Sequence, residues 1–110
     1  MQQAKSVNKM LRVSPRKARL AAGLIRGKQV DAALAQLSVS PLKAARMLSK
    51  TLASAIANAE NTLEVARRDL SVVEVRVDDG PRFKRSKARS KGGRSPILKR
   101  TSHFTVVVGS

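Results

Sequence analysis

Cysteine, tryptophan and tyrosine are all absent from this 110-residue sequence, and its aromatic content is two phenylalanines. Without cysteine there is no disulfide, no thiolate metal site and no thiol nucleophile. So few aromatics leave no platforms for stacking splayed bases and few anchors for a helix lying on lipid. No apolar run approaches the roughly 18 residues of a membrane span. The N-terminal MQQAKSVNKMLRV lacks the uninterrupted apolar stretch of a signal peptide, so a membrane is not an expected partner. Acid is scarce as well. Asp31 is the only acidic side chain before Glu60, and none follows Asp79.

The counterpart of that scarcity is base: 23 Lys and Arg against 7 Asp and Glu, a net charge of +16. Such a balance is self-repelling until a polyanion neutralises it, which makes nucleic acid the default partner. The charge is concentrated. Between positions 82 and 100 stand nine Lys or Arg and no acid, while the other fourteen bases and seven acids leave +7 for the rest of the chain. The basic stretch is not a tail, because the apolar run FTVVV follows it.

A chain of this length fits one domain with one modest core. The first element reads as a strand over 6–13, with Val7, Lys9, Leu11 and Val13 on one side and Asn8, Met10 and Arg12 on the other. SPRKARLAAGLIRG starts a helix, with Ser14 as N-cap, Pro15 at the first helical position and Gly27 as its stop. Ala18, Ala21, Ala22 and Ile25 form its core face. Val30, Ala33, Leu34 and Leu37 have the spacing of a short second helix. Ser40-Pro41 repeats the start signal for a third and longest helix over about 41–61. Its core stripe is Ala45, Leu48, Leu52, Ala55, Ile56 and Ala59. LSVVEVRVDD alternates as a strand, with Ser71, Val73, Val75 and Val77 on one face and Leu70, Val72, Glu74, Arg76 and Asp78 on the other. Asp79-Gly80-Pro81 then breaks the simple ladder. A last strand places Phe104, Val106 and Val108 on one face. The three methionines read as core or gap fillers. The fold class is therefore α+β: a three-stranded antiparallel sheet packed with three helices.

The basic stretch lies between two strands, and Lys91-Gly92-Gly93 near its midpoint is a turn signal. It reads as a long protruding basic β-hairpin over 82–100 with its tip near 90–94. At ~3.3 Å per residue, about ten residues a side reach roughly 30 Å. Lys and Arg serve phosphates, and Ser86, Ser90, Ser95 and the two glycines allow close backbone approach. Recognition of RNA by shape and backbone is expected.

SAIANAEN, VRVDDGPRFKRSKARSKGGRS and ILKRTSHFTVVV, together with SPRKARLAAGLIRGK, resemble the bacterial large-subunit ribosomal protein twenty-two family over nearly the whole chain. The sequence departs from the commoner family pattern at Gly93 and Pro96, where Arg and Asp are frequent. The resemblance implies a single ribosomal domain over 1–110, a cytoplasmic, ribosome-bound protein that is a monomer within the ribosome. Its body sits near the exit of the peptide tunnel, and its hairpin penetrates ribosomal RNA. The positions matching the tunnel-facing tip are Arg89, Ser90, Lys91, Gly92 and Gly93, which would meet the nascent peptide. Phe83-Lys84-Arg85 matches the stretch near the macrolide site. Partners are large-subunit ribosomal RNA and neighbouring ribosomal proteins, with a role in subunit assembly and translation. No cofactor or metal is implied.

The candidate RNA contacts are Arg12, Arg16, Lys17, Arg19, Lys43, Arg46 and Lys50 on the body. On the arm they are Arg82, Lys84, Arg85, Lys87, Arg89, Lys91, Arg94, Lys99 and Arg100, with His103 just beyond it. Architectural DNA-binding proteins also join a small helical body to basic ribbon arms. Their bodies, however, depend on dimer cores, and no surplus apolar face is identified here. An enzyme is not expected, since His103 is the only histidine and no nucleophile elbow or metal cluster accompanies it.

Overall fold

The structure, a computed structural model, describes the backbone of residues 3–81, 83–88 and 94–110, and the side chains of 3–81 and 100–110. The element order is β1 (Gln3–Leu11), α1 (Pro15–Ile25), α2 (Val30–Val39), α3 (Lys43–Asn58), β2 (Ser71–Asp79), β3 (Phe83–Ala88), β4 (Arg94–Lys99) and β5 (Ser102–Gly109). A π-helical turn, Ala59–Leu63, extends α3, and a 3₁₀ turn, Arg67–Asp69, precedes β2. This is the α+β class expected from the sequence.

The body sheet has the order β1-β5-β2, both neighbours running antiparallel to β5. The last strand in sequence is thus the central one. It is the most apolar, and Phe104, Val106 and Val108 are fully buried against the helices. Helices α1 and α3 cover one sheet face, and α2 packs on both of them. Every core position expected for the first and third helices is buried, Ala59 in the π-helical turn that extends α3. In α2, Val30, Ala33 and Leu37 are buried and Leu34 packs at the margin.

Three expectations are corrected. First, β1 begins at Gln3, and its inward face is Ala4, Ser6 and Asn8, while Val7 points to solvent at 42% exposure. A bulge between Asn8 and Leu11 reverses the alternation, with Met10 in the left-handed region at φ 57°. Met10 is therefore an exposed bulge residue and no core filler, and its N–H donates to His103 Nδ1 at 3.0 Å. Second, β2 bulges between Val72 and Glu74, so Val72, Val75 and Val77 face the core and Val73 faces outward. Third, Ser40 ends α2 and does not cap α3. Its N–H donates to Leu37 O, and α3 begins only at Lys43, after Leu42.

Strands β3 and β4 pair with each other in a separate antiparallel ribbon, from Phe83↔Lys99 to Ala88↔Arg94. Ser86 pairs with Pro96, which a two-stranded ribbon tolerates because each strand keeps a free edge. The register is centred on position 91; the expected tip, Arg89 to Gly93, lies outside the described residues, as does Arg82. The radius of gyration is 17.0 Å and the long axis 62 Å. A compact chain of this length would have a radius near 13 Å, so the ribbon projects from the body.

Candidate nucleic-acid interface

Strand directions decide where the charges meet. Leu11, Ser102 and Asp79 align at one end of the sheet, where the ribbon leaves the body; Gln3, Gly109 and Ser71 align at the other. Helix α3 runs antiparallel to β1. Lys43 Nζ at its start donates to Arg12 O at 3.3 Å, and Asn58 Nδ2 at its end donates to Lys5 O at 3.0 Å. Helix α1 runs antiparallel to β2, with Arg19 Nη2 donating to Val77 O (3.2 Å) and Arg26 Nη2 to Val75 O (2.9 Å). Both helices therefore point their N-termini at the ribbon end. Helix α2 starts at the far end, where Val30 N–H donates to Leu70 O.

The ribbon end is basic. Arg12, Lys17 and Lys43 line a cleft of about 250 Å³ with Ser14, between the starts of α1 and α3. Lys43, Arg46 and Lys50 continue it down α3 beside Met47. On the other side of α1, Arg16, Arg19 and Arg100 line a cleft of about 210 Å³ with Asp79, Gly80 and Thr101. All seven body candidates and Arg100 are exposed and line these three clefts, two of which share Lys43. The far end is mixed in charge: Asp31 at the start of α2, Glu60 and Glu64 around the π turn and Asp69 before β2 stand among Lys5, Lys28, Arg67 and Arg68, which bring it near neutrality. There Arg67 Nε pairs with Asp31 at 2.8 Å.

The helix starts show the same division. Helix α2 has conventional stabilisation: Gln29 Oε1 accepts from the N–H groups of Asp31 and Ala32, and Asp31 stands in the first turn. Helices α1 and α3 have no side-chain cap bond and no acid in the first turn; they carry Arg16, Lys17 and Lys43 there instead. Cations at a helix N-terminus oppose the macrodipole by about 0.3–1 kcal/mol each. An anion laid across both starts would relieve that conflict.

His103 lies behind the ribbon root, with its Cε1 beside Gly80. It pairs with Asp78, on the opposite face from Phe104 and Val77, and is half-buried on the helix-free side of the sheet. Lys84, Arg85, Lys87, Arg94 and Lys99 are placed on the ribbon by backbone register alone. Sequence reasoning missed the root of the ribbon. Gly80 N–H donates to Thr101 O at 2.9 Å, and Thr101 Oγ1, buried, donates to Pro81 O at 2.6 Å. A Cβ on Gly80 would collide with Thr101 Oγ1, so the DGP motif marks a close approach of two backbones.

The sequence profile of the family described as Ribosomal protein L22p/L17e matches residues 6–109. The chain belongs to the ribosomal protein L22p/L17e family. It is 60% identical to the large ribosomal subunit protein uL22 of Protochlamydia amoebophila over 110 residues, which is 100% of this chain and 99% of that protein. It is 60% identical to that of Chlamydia muridarum over 105 residues, 96% and 95% of the two chains. Over the same shares it is 61% identical to that of Chlamydia pneumoniae. Membership of L22p/L17e makes this a ribosomal protein and not an enzyme, as the sequence led one to expect. No helix among the described residues is long and apolar enough to cross a membrane.

Proposed function

We propose that the chain is a structural RNA-binding protein of the large ribosomal subunit, docked through the ribbon end of its body and through the ribbon itself. The observation that carries this is the convergence at one end of two uncapped helix starts, the basic clefts and the root of the ribbon, while four of the seven acids lie at the other end. That polarity suits a body seated on a polyanion with its far end turned away. Contacts are to phosphates and sugar edges, which fix position and orientation without reading sequence.

Arg12, Arg16, Lys17, Arg19, Lys43, Arg46, Lys50 and Arg100 serve the body, and the remaining bases between 82 and 99 serve the arm. By the family resemblance, the arm threads ribosomal RNA and positions 89–93 border the nascent-peptide tunnel, with neighbouring ribosomal proteins around the body. The test is the salt dependence of binding to duplex ribosomal RNA. If about five arm bases engage phosphates, log K against log salt gains a slope of about −4 to −5 from the arm, taking the duplex DNA coefficient as the guide. Replacing 85–95 with an Asn-Gly turn removes five bases and flattens the slope by that amount. An unchanged slope would place binding wholly on the body.

A further inference from the structure

We infer that the cleft formed by Arg16, Arg19 and Arg100 with Gly80 and Thr101 is a phosphodiester site that ties the root of the arm to α1, so that one bound phosphate orients the arm. The inference rests on the RNA-binding reading above and assigns one phosphate of the partner to one place.

Three features carry it. The cleft walls come from three separate parts of the chain: α1 supplies Arg16 and Arg19, the end of β2 supplies Asp79 and Gly80, and the strand returning from the arm supplies Arg100 and Thr101. A ligand held there joins the body to both ends of the arm. Next, the cationic groups are partly pre-set. Arg19 is fixed by its bond to Val77 O, which uses one of five N–H donors and leaves the rest for a ligand. Arg16 and Arg100 form no ion pair among the described residues. Three guanidinium forks suit the oxygens of a phosphate better than point charges would. Finally, the floor cannot shift freely. Gly80 and Thr101 are clamped by the N–H···O bond between them and by the Thr101 hydroxyl on Pro81 O, and the missing Cβ at Gly80 leaves the backbone open to approach. Asp79 in the same cleft opposes any anion, but three arginines against one carboxylate leave the site net positive.

The test is a mutant cycle in the full chain, read as affinity for a short RNA duplex. Arg16→Gln with Arg100→Gln is expected to weaken binding on the order of tenfold or more at moderate salt. Combined with Lys84→Gln and Lys87→Gln on the arm, it is expected to be non-additive by about fivefold or more, because an arm that is not oriented gains less from its own charges. Additivity within about twofold, as for independent sites, overturns the inference. The control, Arg46→Gln with Lys50→Gln on α3, is expected to be additive with the same arm change; equal coupling there also overturns it. Arginine modification by phenylglyoxal, read by mass spectrometry, is expected to show RNA protecting Arg16 and Arg100 while the far-end Arg68 stays reactive. Protection by inorganic phosphate alone, at the same phosphate concentration, would reassign the cleft to a free anion. A wild-type chain that binds no RNA duplex defeats the broader RNA reading, an outcome distinct from additive coupling. Thermal melts of the variants separate lost contacts from lost folding.

Discussion

At Gly80 the chain leaves the body, and a single hydrogen atom in place of a methyl group decides the geometry. Alanine there would meet Thr101 Oγ1, with His103 Cε1 and the Thr101 carbonyl carbon close behind. Rotating Thr101 away would break its bond to Pro81 and expose a buried hydroxyl to no partner. Gly80→Ala is therefore expected to cost about 1–3 kcal/mol, as overpacking typically does, in urea denaturation; a loss under ~0.5 kcal/mol would show that the root gives way. Leu52 makes the complementary case on the body. It is fully buried on α3 beneath the sheet, and Leu52→Ala is expected to cost about 2–5 kcal/mol. Arg19, read from the sequence only as charge, has a second role that Arg26 shares. Each donates to a free carbonyl on the edge of β2, and occupied edge carbonyls discourage pairing with another chain.

Among the elements, α1 shows stability set against binding. Ser14 precedes Pro15, Arg16 and Lys17, so a glutamate at 17 would complete a capping box and favour the macrodipole. Lys17→Glu is expected to stabilise the fold by about 0.3–1 kcal/mol. For a domain of about this size that corresponds to roughly 2–6 °C in Tm. The same change should weaken RNA binding, since it reverses a charge on the basic surface. A variant that melts lower would mean that the start of α1 is not in conflict with its own dipole. The helices were legible in the sequence because a 3.6-residue period survives small errors at the ends; Ala18, Ala21, Ala22 and Ile25 all fall where the spacing puts them. The faces of β1 and β2 were not, whereas β5 buries Phe104, Val106 and Val108 as their alternation puts them. One extra residue in a bulge inverts a period of two, and neither bulge carries a glycine to announce it: Met10 takes the left-handed conformation itself, and Val72-Val73 are identical residues on opposite faces. The bases of the site were likewise visible one at a time. Their convergence depends on β5 lying between β1 and β2, and so on which end each helix starts from, and that follows from pairing alone.

At the scale of the whole molecule, body and arm are joined at one root but stabilised by different things. The buried core runs from Val13 to Val108 through the helices and the β1-β5-β2 sheet, and the ribbon pairs only within itself in the strand ladder. An isolated two-stranded ribbon is marginal in water, and this one carries bases with no acid between positions 82 and 100. Its stability must come from a polyanion, whereas the body has its own core. Replacing 85–95 with Asn-Gly closes the arm by a short turn and removes five like charges. The variant is expected to fold with an unchanged or higher Tm, because self-repulsion falls. It should enter large subunits more weakly, held by the body surface at Arg16, Lys17, Arg19 and Lys43, and should lose any effect of positions 89–93 on nascent chains or on macrolide sensitivity. A thermal melt followed by quantitation of the variant in purified large subunits tests both halves. An unfolded variant would place the arm within the cooperative unit of the body. Full-strength incorporation would show instead that the arm adds nothing to docking and that its charge serves only to carry the tip through RNA.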